Sequence, residues 1–438
     1  MSDLLSRLLS ALQPWRQAPA WRIALSGGLD SSVLLHLLAS LARRHALPPL
    51  SAIHVHHGLQ AVADSWPAHC QRLCAQLGVP LQIEYVQVAG GASIERAARE
   101  ARYAAFRQIT QAGEVLLLAQ HRDDQAETLL FRLLRGAGVR GLAAMPRQRE
   151  LGQGVLLRPL LDVPRAELEA YAQAHELGWI EDPSNTDMQL SRNFLRHQAL
   201  PLLARYWPQA SANLARTAEH LREAQQLLDE LAQADLATVA APSEFAWLGL
   251  PSLALEQLRE LSPARQRNAL RHWLAPLTEL PNSDHWAGWG DLRDAQSDRA
   301  PIWRLARGEL HRADGRLWWL GGEWLQPVSE PVMWVDLALP LALPGNGRLH
   351  LQGQLPDSVV QVRYRQGGEV MVLPQRGHRD LKRLLNERRI PAFVRARLPL
   401  LYVDDQLLAV ANLPGLDGVQ VGEWQLRWSP PTNDQGLS

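Results

Sequence analysis

The chain has 438 residues, with 45 basic and 45 acidic side chains and 46% hydrophobic residues. At about 150 residues per domain, this length predicts two or three domains, and no apolar run reaches the roughly 18 residues that would span a bilayer. The N-terminal segment lacks the pattern of a secretory signal, and Cys70 and Cys74 are too few for a disulfide framework. We therefore expect a multidomain cytoplasmic protein with no membrane partner.

A glycine-rich segment follows the apolar residues 23–25 and leads into a helical pattern. It consists of Ser26, Gly27, Gly28, Leu29, Asp30 and Ser31. Two glycines let the backbone approach an anion closely, and a helix N-terminus and serine hydroxyls add hydrogen-bond donors. Asp30 is suited to hold Mg2+ against the same phosphates. A plain strand-to-helix turn is the alternative, but the complete hexapeptide favours a phosphate-binding loop.

This 26–31 loop lacks the Gly-Lys-Ser/Thr ending of a Walker loop, which grips the β- and γ-phosphates with a lysine. It resembles the SGGxDS loop of the PP-loop ATPases. That resemblance implies an enzyme that adenylates a substrate oxygen and releases pyrophosphate.

Strand and helix patterns alternate after the loop. Helical patterns follow the loop to about residue 44 and recur at 64–77, at 93–111 with Ser93 as the N-cap, and at 124–134; apolar segments predict strands at 52–56, 81–88 and 115–119. This alternation predicts a parallel sheet covered by helices on both faces, with ligands bound at the carboxyl ends of the strands.

Three histidines lie in or just after the second predicted strand. Alternate side chains of a strand point to opposite faces, so at most His54 and His56 share a face, and His57 follows the strand. Three ligands on one face would be needed for a typical metal site. We expect no metal at these histidines.

Asp124 and Glu127 are three residues apart at the start of a predicted helix, so their carboxylates share a face. Two such carboxylates hold a cation, either Mg2+ or the ammonium group of an amine substrate. Helix capping is the alternative, because acids are favoured in a first turn. Their position beside the nucleotide loop favours a binding role. Arg99 and Arg102, on the helix at 93–111, reach either the α-phosphate or only solvent.

Composition changes along the rest of the chain predict the domain boundaries. A mostly helical stretch extends from about residue 165 to 230, a Pro/Ala-rich linker follows near 240–242, and prolines recur at 327–344. We expect an α/β parallel-sheet PP-loop domain at 1–215, a mainly helical domain at 216–325, and a small α+β domain at 326–438.

The segment 376–397 contains eight basic residues against two acids, Asp380 and Glu387. The basic residues are Arg376, Arg379, Lys382, Arg383, Arg388, Arg389, Arg395 and Arg397. Such an excess favours contact with a phosphate backbone. A solvated amphipathic helix, with leucines at 381, 384 and 385 turned inward, is the alternative.

Several motifs in order carry a family resemblance. They are SGGLDSSVLLH, VHHGL at 55–59, AAREARYAAF at 97–106, QHRDDQAETLLFRLLRGAGVRGLAAM at 120–145, IEDPSN at 180–185 and RNFLRH at 192–197. Together they resemble the tRNA(Ile)-lysidine synthetases. The resemblance is dense over residues 21–205 and returns at 363–414 with GGE, LKRLLNERRIP and LPLLY.

The resemblance implies a two-step reaction. ATP adenylates the C2 oxygen of the wobble cytidine in a CAU-anticodon tRNA(Ile), and the ε-amine of L-lysine then displaces AMP to give lysidine, which moves codon reading from AUG to AUA. It implies that the 26–31 loop binds ATP, Asp30 binds Mg2+, and Asp124 and Glu127 grip lysine. Arg102 or Arg99 would stabilise the α-phosphate. The resemblance also implies that the domains at 216–325 and 326–438 bind tRNA. The residues implied in tRNA binding are Arg192, Arg196, Arg379, Lys382, Arg383, Arg388 and Arg389.

Two other classes stay open at this point. A tRNA thiolase shares the PP-loop, but its usual Cys-x-x-Cys pair is missing, and no cysteine follows Cys74. A non-catalytic RNA-binding relative is the second, and the presence of Asp30, Asp124 and Glu127 argues against it. The sequence leaves the oligomeric state open between monomer and homodimer.

Overall fold

The structure is a computed structural model that describes residues 2–88, 94–240, 243–281, 284–296, 299, 301–328, 331–353, 360–373, 377–419 and 424–433. The backbone divides into two compact units, Met1–Leu227 and Leu228–Ser438. No helix in the described part of the chain is long and apolar enough to cross a membrane.

A six-stranded sheet forms the centre of the N-terminal unit, in the order β3-β2-β1-β4-β6-β5. Its strands are β1 (Trp21–Ala24), β2 (Leu50–His56), β3 (Leu81–Tyr85), β4 (Val115–Leu117), β5 (Gln148–Leu151) and β6 (Gly154–Leu157). The pairs β1–β2, β2–β3, β1–β4 and β4–β6 are parallel, which confirms the predicted sheet. β5 adds an antiparallel edge that the sequence did not predict, because its residues lack an apolar pattern.

Helices precede, connect and follow the strands of this sheet. They are α1 (Ser2–Leu12), α2 (Leu29–Ala42), α3 (Trp66–Leu77), α4 (Ile94–Ile109), α5 (Arg122–Leu133), α6 (Val139–Leu142), α7 (Arg165–Ala174), α8 (Ser191–Phe194), α9 (Leu200–Tyr206) and α10 (Ala210–Val239). Neighbouring residues of β4 point to opposite faces: Leu117 packs in the core with Leu34 of α2, and Leu116 packs with Phe106 of α4. The predicted N-cap Ser93 lies outside the described residues.

The first part of the C-terminal unit combines helices with an antiparallel sheet. The helices are α11 (Leu255–Glu260), α12 (Pro263–Leu274) and α13 (Ala287–Asp294); the strands are β7 (Ser252–Ala254), β8 (Ile302–Leu305), β9 (Gly308–Ala313) and β10 (Arg316–Gly321). Trp289, Trp303 and Trp319 are buried in their common core. The helices were predicted, and the sheet, in the order β7-β10-β9-β8, was not.

The last part of the chain is rich in strands. These are β11 (Val332–Trp334), β12 (Leu341–Ala342), β13 (Arg348–Gly353), β14 (Val360–Arg363), β15 (Val370–Leu373), β16 (Gly377–Asp380), β17 (Leu400–Val403), β18 (Gln406–Val410) and β19 (Trp424–Ser429). Two short helices, α14 (Leu381–Glu387) and α15 (Ala392–Arg395), lie between β16 and β17. The basic segment is therefore not one helix: Arg389 has a positive φ of 52° in the turn between α14 and α15.

Candidate active site

The 26–31 loop connects β1 to α2, as predicted, and Gly27 shapes it. Gly27 has a φ of +87°, and a Cβ there would lie 2.7 Å from Cδ1 of Ile180. The backbone N–H of Ile180 donates to the Gly27 carbonyl at 2.9 Å. This position therefore requires glycine, both for its left-handed backbone and for the close approach of the 180 segment.

The two serines hold the loop closed on itself. Ser31 Oγ donates to the Gly28 carbonyl at 3.0 Å and lies 3.0 Å from Ser26 Oγ, which accepts from the Gly28 N–H at 3.3 Å. Gly28 is the N-cap of α2 and provides no side-chain cap. The first N–H groups of α2 thus lack the usual capping acceptor and point toward the space where an anion can bind.

A cavity of about 500 Å³ opens at the carboxyl ends of the strands. It is lined by twelve of the residues singled out above: Ser26, Gly28, Leu29, Asp30, Ser31, His54, His56, His57, Arg99, Arg102, Asp124 and Arg196. Gly27, Glu127 and Arg192 do not line it directly. The sequence predictions missed Tyr103, Arg165 and Trp179 as lining residues. The IEDPSN motif was a signal for Glu181, Asp182 and Asn185, which also line the cavity.

His121 connects the loop to the acidic pair. Its Nε2 lies 3.6 Å from Asp30 Oδ2 and 3.5 Å from Asp124 Oδ2. Burial alone would lower the pKa of His121, but Asp30, Asp124 and Asp123 together raise it above its ordinary value. Burial would raise the pKa of Asp30, and His121, with the charges of Arg165 and Arg196, lowers it instead. The two groups thus favour an imidazolium facing a carboxylate.

His121 is also the N-cap of α5. Its Nδ1 accepts from the Asp124 N–H at 3.4 Å, and Asp124 Oδ2 accepts from the His121 N–H at 3.1 Å, which forms a capping box. Protonation of Nδ1 would remove the first of these bonds. The capping bond therefore favours an unprotonated Nδ1, whereas the nearby carboxylates favour a protonated ring. Asp124 therefore caps the helix through Oδ2, as the capping alternative predicted, whereas its Oδ1 takes no part in the capping box.

The remaining carboxylate oxygens face two arginines. Arg196 Nε donates to Glu127 Oε1 at 2.6 Å, and its Nη2 donates to Asp124 Oδ1 at 3.0 Å. Arg192 Nε donates to Glu127 Oε2 at 3.0 Å. The Glu127 side chain is 1% exposed, whereas that of Arg192 is 37% exposed. Burial would lower the pKa of Arg196, but Glu127, Asp124 and Asp30 raise it. We call Asp124, Glu127, Arg192 and Arg196 the charge cluster.

The other predicted tRNA-binding residues lie in the C-terminal unit. Arg379, Lys382, Arg383 and Arg389 are exposed, and Arg388 donates to the Pro414 carbonyl at 3.3 Å.

Two further members of the basic segment have structural partners. Arg395 donates to the Ile390 carbonyl at 2.7 Å. Arg397 is 7% exposed and donates to the carbonyls of residues 323, 324, 326 and 345. Arg397 therefore stabilises the packing of this part of the chain and does not belong to the exposed basic surface, because its guanidinium is buried and both terminal nitrogens donate to backbone carbonyls. Arg376 lies outside the described residues.

The His54–His57 group holds no metal site in the part of the chain that the structure describes, where no cluster of three potential ligands occurs. His54 Nδ1 lies 2.8 Å from the Leu25 carbonyl, under the loop. Burial, with the charges of His56 and His57, lowers its pKa despite that bond. His54 therefore contacts the backbone of the residue that leads into the 26–31 loop.

Three family models match successive parts of the chain. A PP-loop domain model matches residues 2–203, a TilS substrate binding domain model matches 253–318, and a TilS substrate C-terminal domain model matches 360–429. The curated tRNA(Ile)-lysidine synthase of Pseudomonas fluorescens is 67% identical over 435 residues, which cover 99% of this chain and 98% of that protein. This chain belongs to the tRNA(Ile)-lysidine synthase family.

Other members of the family match most of the chain at lower identity. The tRNA(Ile)-lysidine synthase of Pseudomonas aeruginosa is 64% identical over 99% of this chain and 98% of that protein. The one of Xanthomonas axonopodis is 47% identical over 89% and 88%. Among solved structures, the U34-tRNA thiolase NcsA of Methanococcus maripaludis is 17% identical over 51% of this chain and 78% of that chain, with a TM-score of 0.45.

Proposed function

We propose that this protein ligates L-lysine to C2 of the wobble cytidine in CAU-anticodon tRNA(Ile), with conversion of ATP to AMP and pyrophosphate. The observation that carries the proposal is that Asp124, one of the two acids, lines the same cavity as the 26–31 loop. An ATP-activated oxygen and a held amine therefore come together in one enclosed space, as a two-step ligation requires. Membership of the tRNA(Ile)-lysidine synthase family names the acceptor and the amine.

In the first step the C2 oxygen of the cytidine attacks the α-phosphorus of ATP, and the bond to pyrophosphate breaks. The 26–31 loop binds the departing phosphates through backbone N–H groups and serine hydroxyls. Arg99 and Arg102 also line the cavity, and a guanidinium there would stabilise charge that develops on the α-phosphate. This role of Arg102 is part of the proposal.

Asp30 is the residue that would hold Mg2+. Its Oδ1 is buried and has no hydrogen-bond partner among the described residues, and a carboxylate oxygen is the ligand that Mg2+ prefers. One or two carboxylates with substrate phosphates make a sufficient magnesium site. Bound there, the ion would neutralise charge on the pyrophosphate that leaves. Nε2 of His121 lies 3.6 Å from Oδ2 of the same carboxylate.

In the second step the ε-amine of lysine attacks C2, and the C2–O bond breaks so that the oxygen leaves on AMP. The ammonium group of lysine must first lose a proton. We assign the binding of the ammonium group, and acceptance of its proton, to Asp124 and Glu127. Arg192 is the arginine that yields its place, because it makes one hydrogen bond to the pair and is partly exposed, whereas Arg196 makes three.

In this proposal the C-terminal unit provides further contacts to the tRNA. The exposed basic residues of β16 and α14, Arg379, Lys382 and Arg383, with Arg388 and Arg389 after them, would contact the phosphate backbone. The domain divisions at 215/216 and 325/326 stay predictions, as does the placement of the reaction in the cytoplasm.

The test is to incubate the protein with CAU-anticodon tRNA(Ile), ATP, Mg2+ and lysine, and to analyse the wobble nucleoside by mass spectrometry. Lysidine is the expected product. Omission of lysine should leave adenylated tRNA and released pyrophosphate. An unmodified wobble cytidine, with the tRNA bound, would contradict the proposal.

A further inference from the structure

A second cavity in the N-terminal unit, with a volume of about 520 Å³, is lined mainly by arginines. One wall is a face of α4, where residues 96, 99, 100, 103 and 107 follow helical spacing. The other wall consists of α5, β5 and the residues that flank the β5–β6 hairpin. The lining arginines are Arg96, Arg99, Arg107, Arg132, Arg149 and Arg158. We call this space the arginine cavity.

Acidic side chains do not balance these arginines. Glu100 is the one acid in the described lining, and it accepts a hydrogen bond from Arg96 at 2.7 Å. In the described ranges, none of the other five arginines forms an ion pair. Arg99 and Arg149 instead lie over the ring of Tyr103, with guanidinium carbons 5.0 and 4.8 Å from its centroid.

Two of the arginines are fixed by the backbone. Arg158 is 2% exposed and donates to the Pro146 carbonyl at 2.8 Å. Arg132 donates to the carbonyls of residues 141 and 144 at 2.8 and 3.0 Å. Burial lowers the pKa of Arg132, and the charges of Arg99 and Arg192 lower it further. Like charges held together at a cost to stability indicate a site that an anion completes.

We propose that the arginine cavity binds phosphate groups, and specifically backbone phosphates of the RNA whose base enters the catalytic cavity. This inference rests on the proposed function. Arg99 and Tyr103 line both cavities, so they form a common wall between the reacting nucleotide and the phosphates next to it. Guanidinium groups make bidentate contacts to phosphate oxygens.

Such contacts would serve the chemistry in a particular way. A base that leaves its stack loses a few kcal/mol of stacking energy, which contacts elsewhere must offset. Phosphate contacts fix the register of a nucleic acid without reading its sequence. The arginine cavity would thus bind the RNA backbone, while the catalytic cavity determines which base is bound.

The test compares a double variant, Arg107→Gln with Arg149→Gln, to a matched control, Arg43→Gln with Arg44→Gln. All four residues are exposed, and the control pair follows the end of α2 and lines neither cavity. Binding of an anticodon stem–loop RNA is followed by fluorescence anisotropy at several KCl concentrations.

We expect the double variant to lose affinity on the order of tenfold. The slope of log K against log salt should fall by about 1.4, at about 0.7 for each contact to single-stranded RNA. The loss should be the same for a loop with a different wobble base. The control should keep the affinity and the slope of the unmodified protein.

A second arm separates the sources of phosphate. Inorganic pyrophosphate is titrated, and the melting temperature of each protein is followed. If the double variant loses stabilisation by pyrophosphate but keeps its RNA affinity and slope, the ligand is a free anion and the RNA assignment is wrong. If the double variant matches the unmodified protein in both RNA binding and stabilisation by pyrophosphate, the arginine cavity is not a phosphate-binding site. If the unmodified protein does not form lysidine, the proposed function fails instead, which a parallel assay reports.

Discussion

Arg196 joins the two acids that are expected to hold the amine, because its guanidinium donates to Glu127 Oε1 at 2.6 Å and to Asp124 Oδ1 at 3.0 Å. The acidic pair is thus balanced by positive charge before a substrate arrives. A lysine ammonium group then exchanges with a guanidinium and does not enter an unpaired acidic site. Such an exchange costs less than the desolvation of two unpaired carboxylates would.

Replacement of Glu127 by glutamine should impair the second step. The amide keeps the size of the side chain but removes one negative charge, so two arginines would face a single carboxylate. We expect the KM for lysine to rise at least tenfold and adenylated tRNA to accumulate, since one charged hydrogen bond contributes about 1.5 to 3 kcal/mol. Quenched reactions with labelled ATP measure both quantities.

The matched control for this variant is Glu223→Gln, an exposed acid of α10. It should leave the lysine dependence unchanged. If Glu127→Gln behaves like the control while the protein stays folded, capping and packing would be the better account of Glu127.

Replacement of Asp30 by asparagine should stop the first step. The loss of the carboxylate removes the group that would hold Mg2+, and a single charge stabiliser in an active site contributes on the order of 100-fold or more to kcat. Pyrophosphate release should fall by that factor while tRNA binding stays intact. Asp162→Asn is the control, because its side chain is 55% exposed and lies outside the cavity lining. Normal pyrophosphate release from Asp30→Asn would refute the loop assignment.

The two glycines of the loop should respond differently to alanine. Gly27→Ala forces a left-handed backbone on alanine and places its Cβ against Ile180, so we expect a loss of about 1 to 3 kcal/mol in the free energy of unfolding. At Gly28 the closest contact of a Cβ would be 3.5 Å, from Ser26 Oγ, which is ordinary van der Waals distance. Gly28→Ala should keep its stability and weaken ATP binding alone. Urea unfolding and ATP titration separate the effects, and equal stability losses would disprove the distinction.

The His121–Asp30 pair predicts a pH dependence of stability. The folded-state pKa of His121 is raised, so its contribution is complete below its unfolded pKa of about 6.5 and is lost as the pH rises through the folded value. The folded-state pKa of Asp30 is lowered, so its contribution is present above about 3.9 and is lost as the pH falls through the folded value. The pair therefore stabilises most between these two limits.

His121→Asn isolates this effect, because asparagine also caps helices but does not titrate. The difference in free energy of unfolding between the unmodified protein and His121→Asn should be largest from about pH 4 to 6.5 and should shrink at alkaline pH. Urea unfolding at a series of pH values measures it. A difference that grew as the pH rose would contradict the direction of the His121 shift.

In the C-terminal unit, exposed and buried basic residues should behave as two classes. Lys382→Gln with Arg383→Gln should lower the salt slope of tRNA binding by about 1 to 2 without loss of stability. Arg304→Gln, whose side chain is 77% exposed on β8, is the control and should leave the slope unchanged. Arg397→Ala should lower stability, because four backbone carbonyls lose their donor. An unchanged slope in the double variant would remove α14 from the tRNA-binding surface.

The sequence predicted the elements that carry strong local patterns. β1 to β4 have apolar residues bounded by glycine, proline or polar segments, and the structure confirms each of them. α5 begins two residues earlier than predicted, since His121 is its cap and a histidine is a weak capping signal. The β5–β6 hairpin was missed because its edge strand, in which the first three of four residues are exposed, has no apolar alternation.

The positions of the site residues were more predictable than their partners. The carboxyl edge of a parallel sheet brings Asp30 and Asp124 together whatever the details of the helices. The pairing of Arg192 and Arg196 with the acids depends on how α8 and the π-helical turn after it pack on α5, and no local pattern encodes that packing. The structure shows these two arginines paired with the acids. Their contact with tRNA stays a prediction.

The bond from Ile180 N–H to the Gly27 carbonyl makes the shape of the nucleotide loop depend on residues far along the chain. A shortened protein that ends after the last strand of the sheet would retain every hydrogen bond between strands and every element that the loop connects. It would still lose the hydrogen bond that the Ile180 N–H donates to the loop. The smallest fragment able to bind ATP correctly is therefore longer than the smallest fragment able to form the sheet.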